Sequence, residues 1–171
     1  MGKYLEGRRA YLSGAIEFGS DTSWRVGPSK VLVEEFRVDL FDPFNDPKQQ
    51  WAPALKLARE QRNYDEMQKI ANNFVRKDLS VVDASDFLVA YLPRGVPTTG
   101  TVHEIIVKSN SKKPVLIVCP EGKQFVPFWY WGFISHSQMF GNWEDLYQYL
   151  REVNDLKHAY NYRWDYVCGL I

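Results

Sequence analysis

KDLSVVDASDFLVAYLPRGVPTTGTVHE, residues 77–104, is the stretch whose reading decides the fold. At its centre, residues 86–92 (DFLVAYL) are almost continuously apolar. A run this short, with no polar face, predicts a strand buried on both sides, as in the middle of a parallel sheet. Asp78 precedes the run and Glu104 follows it. A Gly/Pro/Thr loop leads out of the strand, and Val102, Ile105 and Ile106 then predict a helix over 101–109. A carboxylate in the first turn of a helix, above the end of a buried strand, is a candidate for covalent chemistry.

Upstream, Met67, Ile70, Ala71, Phe74, Val75, Leu79 and Val82 recur at helical spacing and predict a helix over 64–82. A shorter helix over 53–62 opens on Pro53. Residues 10–15 (AYLSGA) predict a short strand running into a glycine turn, 28–36 a helix opened by Pro28, and 38–41 a strand closed by Asp42-Pro43. Residues 44–52 (FNDPKQQWA) read as a polar loop. Downstream, 114–118 (PVLIV) predict a second central strand, 131–135 an edge strand and 143–153 a last helix, while the Tyr- and Trp-rich tail 157–171 has no clear period. The order β-α-β-α-α-β-α-β-(β)-α implies an α/β fold with a five-stranded, mostly parallel sheet covered by helices on both sides. Ligands of such sheets sit beyond the carboxyl ends of the strands, where the strand order reverses. The loops at those ends begin after Leu12, Phe41, Leu92 and Val118.

The chain has 171 residues, 45% hydrophobic and 15% aromatic, which fits one domain over 1–171 with a full core. Lys plus Arg and Asp plus Glu number 21 each, so composition gives no support for a nucleic-acid polymer or a membrane surface as partner. Cys119 and Cys168 are the two cysteines; they match no disulfide framework or zinc spacing, and Cys119 follows an apolar run that predicts a buried thiol. The N-terminus lacks the apolar stretch of a signal peptide, and no segment approaches the ~20 apolar residues of a membrane span, so a cytoplasmic protein is expected.

Glu104 has two readings: an ionised nucleophile favoured by the positive end of the helix dipole, or a capping-box glutamate bonded back to Thr101. Asp78, in Arg76-Lys77-Asp78, is a general acid/base or a solvent ion pair. Asp83 and Asp86 read as structural caps. Tyr11 points a phenol at a carboxylate or packs as a core tyrosine, and Gly14 permits a tight turn and close ligand approach. Residues 11–21 lack the G-x-G-x-x-G spacing, there is no phosphate-loop motif, and His103, His136 and His158 lack metal-ligand spacing, so neither a metal nor an organic cofactor is expected. Two carboxylates facing one sugar suit glycosidic bond chemistry.

Taken together, Y-L-S-G at 11–14, D-P-F-N-D at 42–46, K-D-L at 77–79, A-S-D-F-L-V-A-Y at 84–91, G-T-V-H-E at 100–104, the P-V-L-I-V strand and W-G at 131–132 resemble the nucleoside 2-deoxyribosyltransferase family and its relatives, the nucleotide N-glycosidases. The resemblance implies a flavodoxin-like three-layer sandwich, a homo-oligomer with shared active sites, and a nucleoside or nucleotide with a free nucleobase as partners. It implies that Glu104 is a nucleophile forming a glycosyl ester, Asp78 the acid/base at the nucleobase, and Tyr11 a neighbour orienting Glu104. Ser13 and Gly14 fall in the first loop, Asp42 and Asn45 in the base-side loop, and Thr98 where relatives contact the sugar or the 5′ end; Gly100, which opens the G-T-V-H-E motif, is also expected to bind substrate. Trp24 or Phe44 is expected to stack on the base. Transferases of the family often carry an acid at the Thr98 position, and a hydroxyl there resembles the hydrolases, yet Glu17 stands in a loop where hydrolases bind phosphate; Arg25 or Arg94 is the expected substitute. The expected activity is transfer of 2-deoxyribose between nucleobases. The alternatives are a nucleoside 5′-monophosphate N-glycosidase and a non-catalytic nucleotide-binding module.

Overall fold

The computed structural model describes residues 4–17, 20–155 and 162–168. Five strands form one sheet: β1 (Arg9–Ser13), β2 (Asp39–Phe41), β3 (Phe87–Tyr91), β4 (Val115–Val118) and β5 (Met139–Phe140). Their order is β2-β1-β3-β4-β5 and every pairing is parallel. This is the flavodoxin-like order, and its reversal falls between β1 and β3. The central strands β3 and β4 are buried on both faces, as their unbroken apolar runs require.

Helices cover both faces. α1 (Val26–Glu34), α5 (Trp143–Asn154) and α6 (Tyr162–Cys168) close one side, where Leu12, Phe87, Val89, Leu116 and Val118 meet Leu32, Leu146, Leu150 and Trp164. α3 (Tyr64–Ala84) and α4 (Thr99–Asn110) close the other, where Leu88, Ala90, Val115 and Ile117 meet Val82 and Ile105. α2 (Ala52–Glu60) packs on α3. The end of α3 is fastened from beneath: the Lys108 ammonium of α4, fully buried, donates to the Ser85 carbonyl at 2.7 Å, and Lys113 donates to the same oxygen at 2.9 Å. Two cations at a helix C-terminus satisfy carbonyls that the helix leaves open. Burial, with Lys113 beside it, brings the Lys108 ammonium down to about 8.

Three expectations are corrected. The polar loop 44–52 is ordered as two 3₁₀ turns, Pro43–Asn45 and Pro47–Trp51, each with aspartate at its N-cap and proline at its first position. Residues 131–135 are not an edge strand. Phe128–Gly132 is a 3₁₀ turn, and Val126, Tyr130 and Ile134 enter the core at a spacing of four, which overrides the strand preference of the aromatics. The edge is the two-residue β5, too short to leave a periodic signal. Finally, α4 starts at Thr99 with Thr98 as its cap, so Glu104 lies in the second turn. Part of the tail forms α6; the rest of 157–171 lies outside the described residues.

Candidate active site

The side chains of β1 alternate between the two faces of the sheet. Ala10 and Leu12 enter the core under α1 and α5, while Tyr11 enters the face under α3 and α4. Ser13, two residues on, shares the Tyr11 face at the carboxyl end of the strand. There both hydroxyls meet Glu104 of α4: Tyr11 Oη donates to Oε1 at 2.7 Å, and Ser13 Oγ donates to Oε2. The capping-box reading of Glu104 therefore fails, because the carboxylate bonds across the sheet instead of back to its own helix. The helix dipole is also not what sets its charge, since no acid occupies the first turn of α4. Burial pushes the Glu104 carboxyl above its ordinary value, against the hydrogen bonds of Ser13 and Tyr11 and the positive charges of Lys48 and Arg25. Burial and the Glu104 charge drive the Tyr11 phenol far up, so it remains a donor.

Glu104 is 9% exposed and borders a cavity of about 550 Å³ at the reversal of the strand order. Asp78 borders the same cavity from α3, as does Phe74 one turn earlier on the same helix face. Of the expected substrate contacts Gly14, Thr98 and Gly100 also line it, as does Glu17 of the first loop, and Leu55, Lys56 and Arg59 of α2 form another side. Two acids from different elements thus face one space large enough for a small ligand. Among the described residues no group of three His, Cys, Asp or Glu is placed to hold a metal ion.

Other expected contacts lie elsewhere. Trp24 is stacked with Tyr91 at 4.4 Å and Trp143 at 5.7 Å between ring centroids, in an aromatic cluster on the α1 and α5 side. It is not in the cavity wall. Gly14 is needed because a Cβ there would collide with the Trp24 indole, so the close approach is internal. Phe44 is exposed and outside the lining; Pro43 takes its place. Asp42 is buried against Arg25 at 2.6 Å and also caps Phe44, while Asn45 Nδ2 donates to Asp42 at 3.2 Å. Arg25 also donates from its two terminal nitrogens to the Leu12 and Gly14 carbonyls, at 3.2 and 2.8 Å, so it ties down the loop after β1, and its Nε is buried without a partner among the described residues. Arg94 lies over the Phe125 ring, 4.3 Å from its centroid, and borders a separate depression.

The sequence reading missed Lys48. It follows the Asp46 cap, is buried, and donates to the Asp78 carboxylate with its ammonium 5.6 Å from the Phe74 ring centroid. Its neighbour pair is reversed in sign: Asp46 accepts from Lys77 at 2.6 Å. The signal was present as Asp46-Pro47-Lys48 opposite Lys77-Asp78, complementary charges with no local reason to meet. Phe74 enters the sequence reading only through the helical spacing of 64–82, and its distance of four residues from Asp78 is the available clue.

The sheet order and the paired acids in a cleft at its reversal point define a flavodoxin-like α/β domain with a ligand-sized cavity beyond the ends of β1 and β3. The chain belongs to the nucleoside 2-deoxyribosyltransferase family, whose model matches residues 10–158. No curated protein matches it in sequence. Its fold is similar to that of a 2-deoxyribosyltransferase from Bacillus psychrosaccharolyticus, with 15% identity, a TM-score of 0.55, and 81% of this chain and 89% of the other covered. More distant likenesses are a 2-deoxyribosyltransferase from Leishmania mexicana (17% identity, TM-score 0.46, 68% and 67% covered) and a CMP N-glycosidase from Clostridium botulinum (14% identity, TM-score 0.45, 86% and 99% covered).

Proposed function

We propose that the protein cleaves the N-glycosidic bond of a 2′-deoxynucleoside and transfers the sugar to another nucleobase. The observation that carries this reading is the Glu104 carboxylate, held by the Tyr11 and Ser13 hydroxyls at the edge of a cavity that Asp78 shares. The two donors fix both oxygens, which aims the carboxylate at the anomeric carbon. A Glu104 oxygen forms a bond to C1′ as the C1′–N bond breaks, and that electron pair leaves with the base. The departing base takes a proton at the Asp78 end, and the incoming base returns one there as its nitrogen displaces Glu104 from C1′. Phe74, not Trp24 or Phe44, is the aromatic face available to the base. Water in place of the second base turns transfer into hydrolysis.

Lys56 and Arg59 in the cavity wall favour a second reading, a nucleoside 5′-monophosphate as substrate, because cations there suit a phosphate. Arg59 lies 3.8 Å from Glu17, which counts against it. Chromatography of deoxynucleosides and their 5′-monophosphates, each incubated with and without free adenine, tests both. Exchange of base on the nucleosides supports the first reading; base release confined to the monophosphates replaces it with the second. Ligand binding without base release from either substrate would leave a non-catalytic nucleotide-binding module.

We infer also that copies of the chain associate. Phe128 and Trp129 are 83% and 71% exposed, and Trp129 borders one depression with Ile106 and Phe133, so large aromatic side chains stand open to solvent where a partner surface could cover them. Light scattering of Trp129→Glu against the parent protein is expected to show a smaller assembly. An unchanged mass contradicts this surface as the interface.

A further inference from the structure

Two ion pairs of opposite polarity stitch the 3₁₀ turn Pro47–Trp51 to α3: Asp46 with Lys77, and Lys48 with Asp78. Asp46 caps the turn through the Lys48 backbone N–H at 2.9 Å, so the Lys48 main chain is held where its side chain reaches Asp78. Lys48 is 8% exposed and stands behind Asp78, which borders the cavity while Lys48 does not. Taking a lysine and a carboxylate out of water is costly, and their pairing is what offsets it.

Building on the proposed reaction, we propose that Lys48 is a positioning residue for it: the ammonium fixes Asp78 at the base end of the cleft and shares with it the proton passed to the departing base. As the C1′–N bond breaks, its electron pair goes to the base nitrogen, which takes the proton that the Lys48–Asp78 pair holds. The pair is then one proton short and regains it from the incoming base or water. Asp46, Lys77, Asp78 and Glu104 are the charged groups around Lys48, with the Phe74 ring beside it. Burial and Lys77 push the ammonium below its ordinary value while Asp46 and Glu104 pull it up, which suits a group that gives up and regains a proton.

Carboxyl-carbon NMR of the ligand-free protein, following Asp78 with pH in the parent, Lys48→Met and Lys48→Arg, tests the charge without any substrate. The methionine variant is expected to titrate at Asp78 about one pH unit higher, since Lys48 contacts that carboxylate and an opposite charge within ~4–6 Å lowers a carboxyl by ~1–3 units. The arginine variant is expected to return most of the shift. In base-release assays Lys48→Met is expected to lower kcat by roughly 10²-fold, to leave KM little changed, and to confine the remaining activity to lower pH, where Asp78 itself carries the proton. Lys48→Gln reads the same quantities if the methionine variant does not fold. An unmoved Asp78 titration, or an activity loss equal at all pH and not relieved by arginine, overturns the proposal. A parent protein that releases no base from any nucleoside or nucleotide instead overturns the proposed reaction, while the titration still reads the charge of Lys48.

Discussion

Neighbouring residues of β1 belong to two different regions of the molecule. Leu12 faces α1 and α5 in an apolar core of Leu, Phe, Val and Trp; Tyr11 and Ser13 face α3 and α4 and end on a buried carboxylate. One region gains from burial and the other bears its cost. Burial of an apolar side chain contributes about 1.5–3 kcal/mol. Burial of Glu104 raises its carboxyl against two hydrogen bonds and two cations. β1 therefore gives apolar core contacts from Ala10 and Leu12 and the two donors to the Glu104 carboxylate from Tyr11 and Ser13, and the burial that the surrounding core creates is what raises that carboxyl.

Substitutions on the two faces should separate these roles. The largest expected effect is on activity: Glu104→Gln is expected to lower base exchange by at least roughly 10⁴-fold, because the bond to C1′ then has no nucleophile, with the melting temperature kept or raised. Exchange assays beside thermal denaturation check both halves. Leu12→Ala is the converse. Its side chain is fully buried, so a loss of about 2–5 kcal/mol is expected in urea unfolding, with turnover per folded molecule little changed. A smaller effect is expected for Tyr11→Phe, which keeps the ring stacked on Phe41, at 5.5 Å between centroids, and removes only the hydroxyl from Glu104. A hydrogen bond to a charged group is worth about 1.5–3 kcal/mol, so a loss of roughly 10- to 100-fold in kcat is expected. Equal losses of stability and activity in all three variants would erase the distinction between the faces.

The smallest effect is a pH dependence of stability. The Glu104 carboxyl binds its proton more tightly in the folded than in the unfolded chain. The stability this brings is present below the ordinary glutamate range and lost as pH rises through the raised folded value. Glu104→Gln lacks the titration, so its stability relative to the parent should climb through that window and level off above it. Denaturant unfolding across the window checks the sign.

Much of the fold was legible because β3 and β4 are buried on both faces and say so in composition, with α3 and α5 amphipathic between cap and stop. The edge strand β5 was not, since two residues carry no period. The acids Asp78 and Glu104 stood out from their places around β3, and Tyr11 and Ser13 from β1. The offset of Glu104 within α4 was hidden because Thr99 and Gly100, poor helix formers, nonetheless join the helix. Lys48 and Phe74 escaped for a different reason: only the fold brings the turn after Asp46 against α3. Trp24 looked like a base platform for its chemistry, and its tertiary neighbours Tyr91 and Trp143 had already taken it.

Intact-mass and peptide spectrometry of the protein, acid-quenched after rapid mixing with 2′-deoxynucleosides, tests the central claim most directly. The account predicts one added deoxyribosyl unit, carried by the peptide containing Glu104 and absent from Glu104→Gln. Base release without that adduct, and retained by Glu104→Gln, would contradict it.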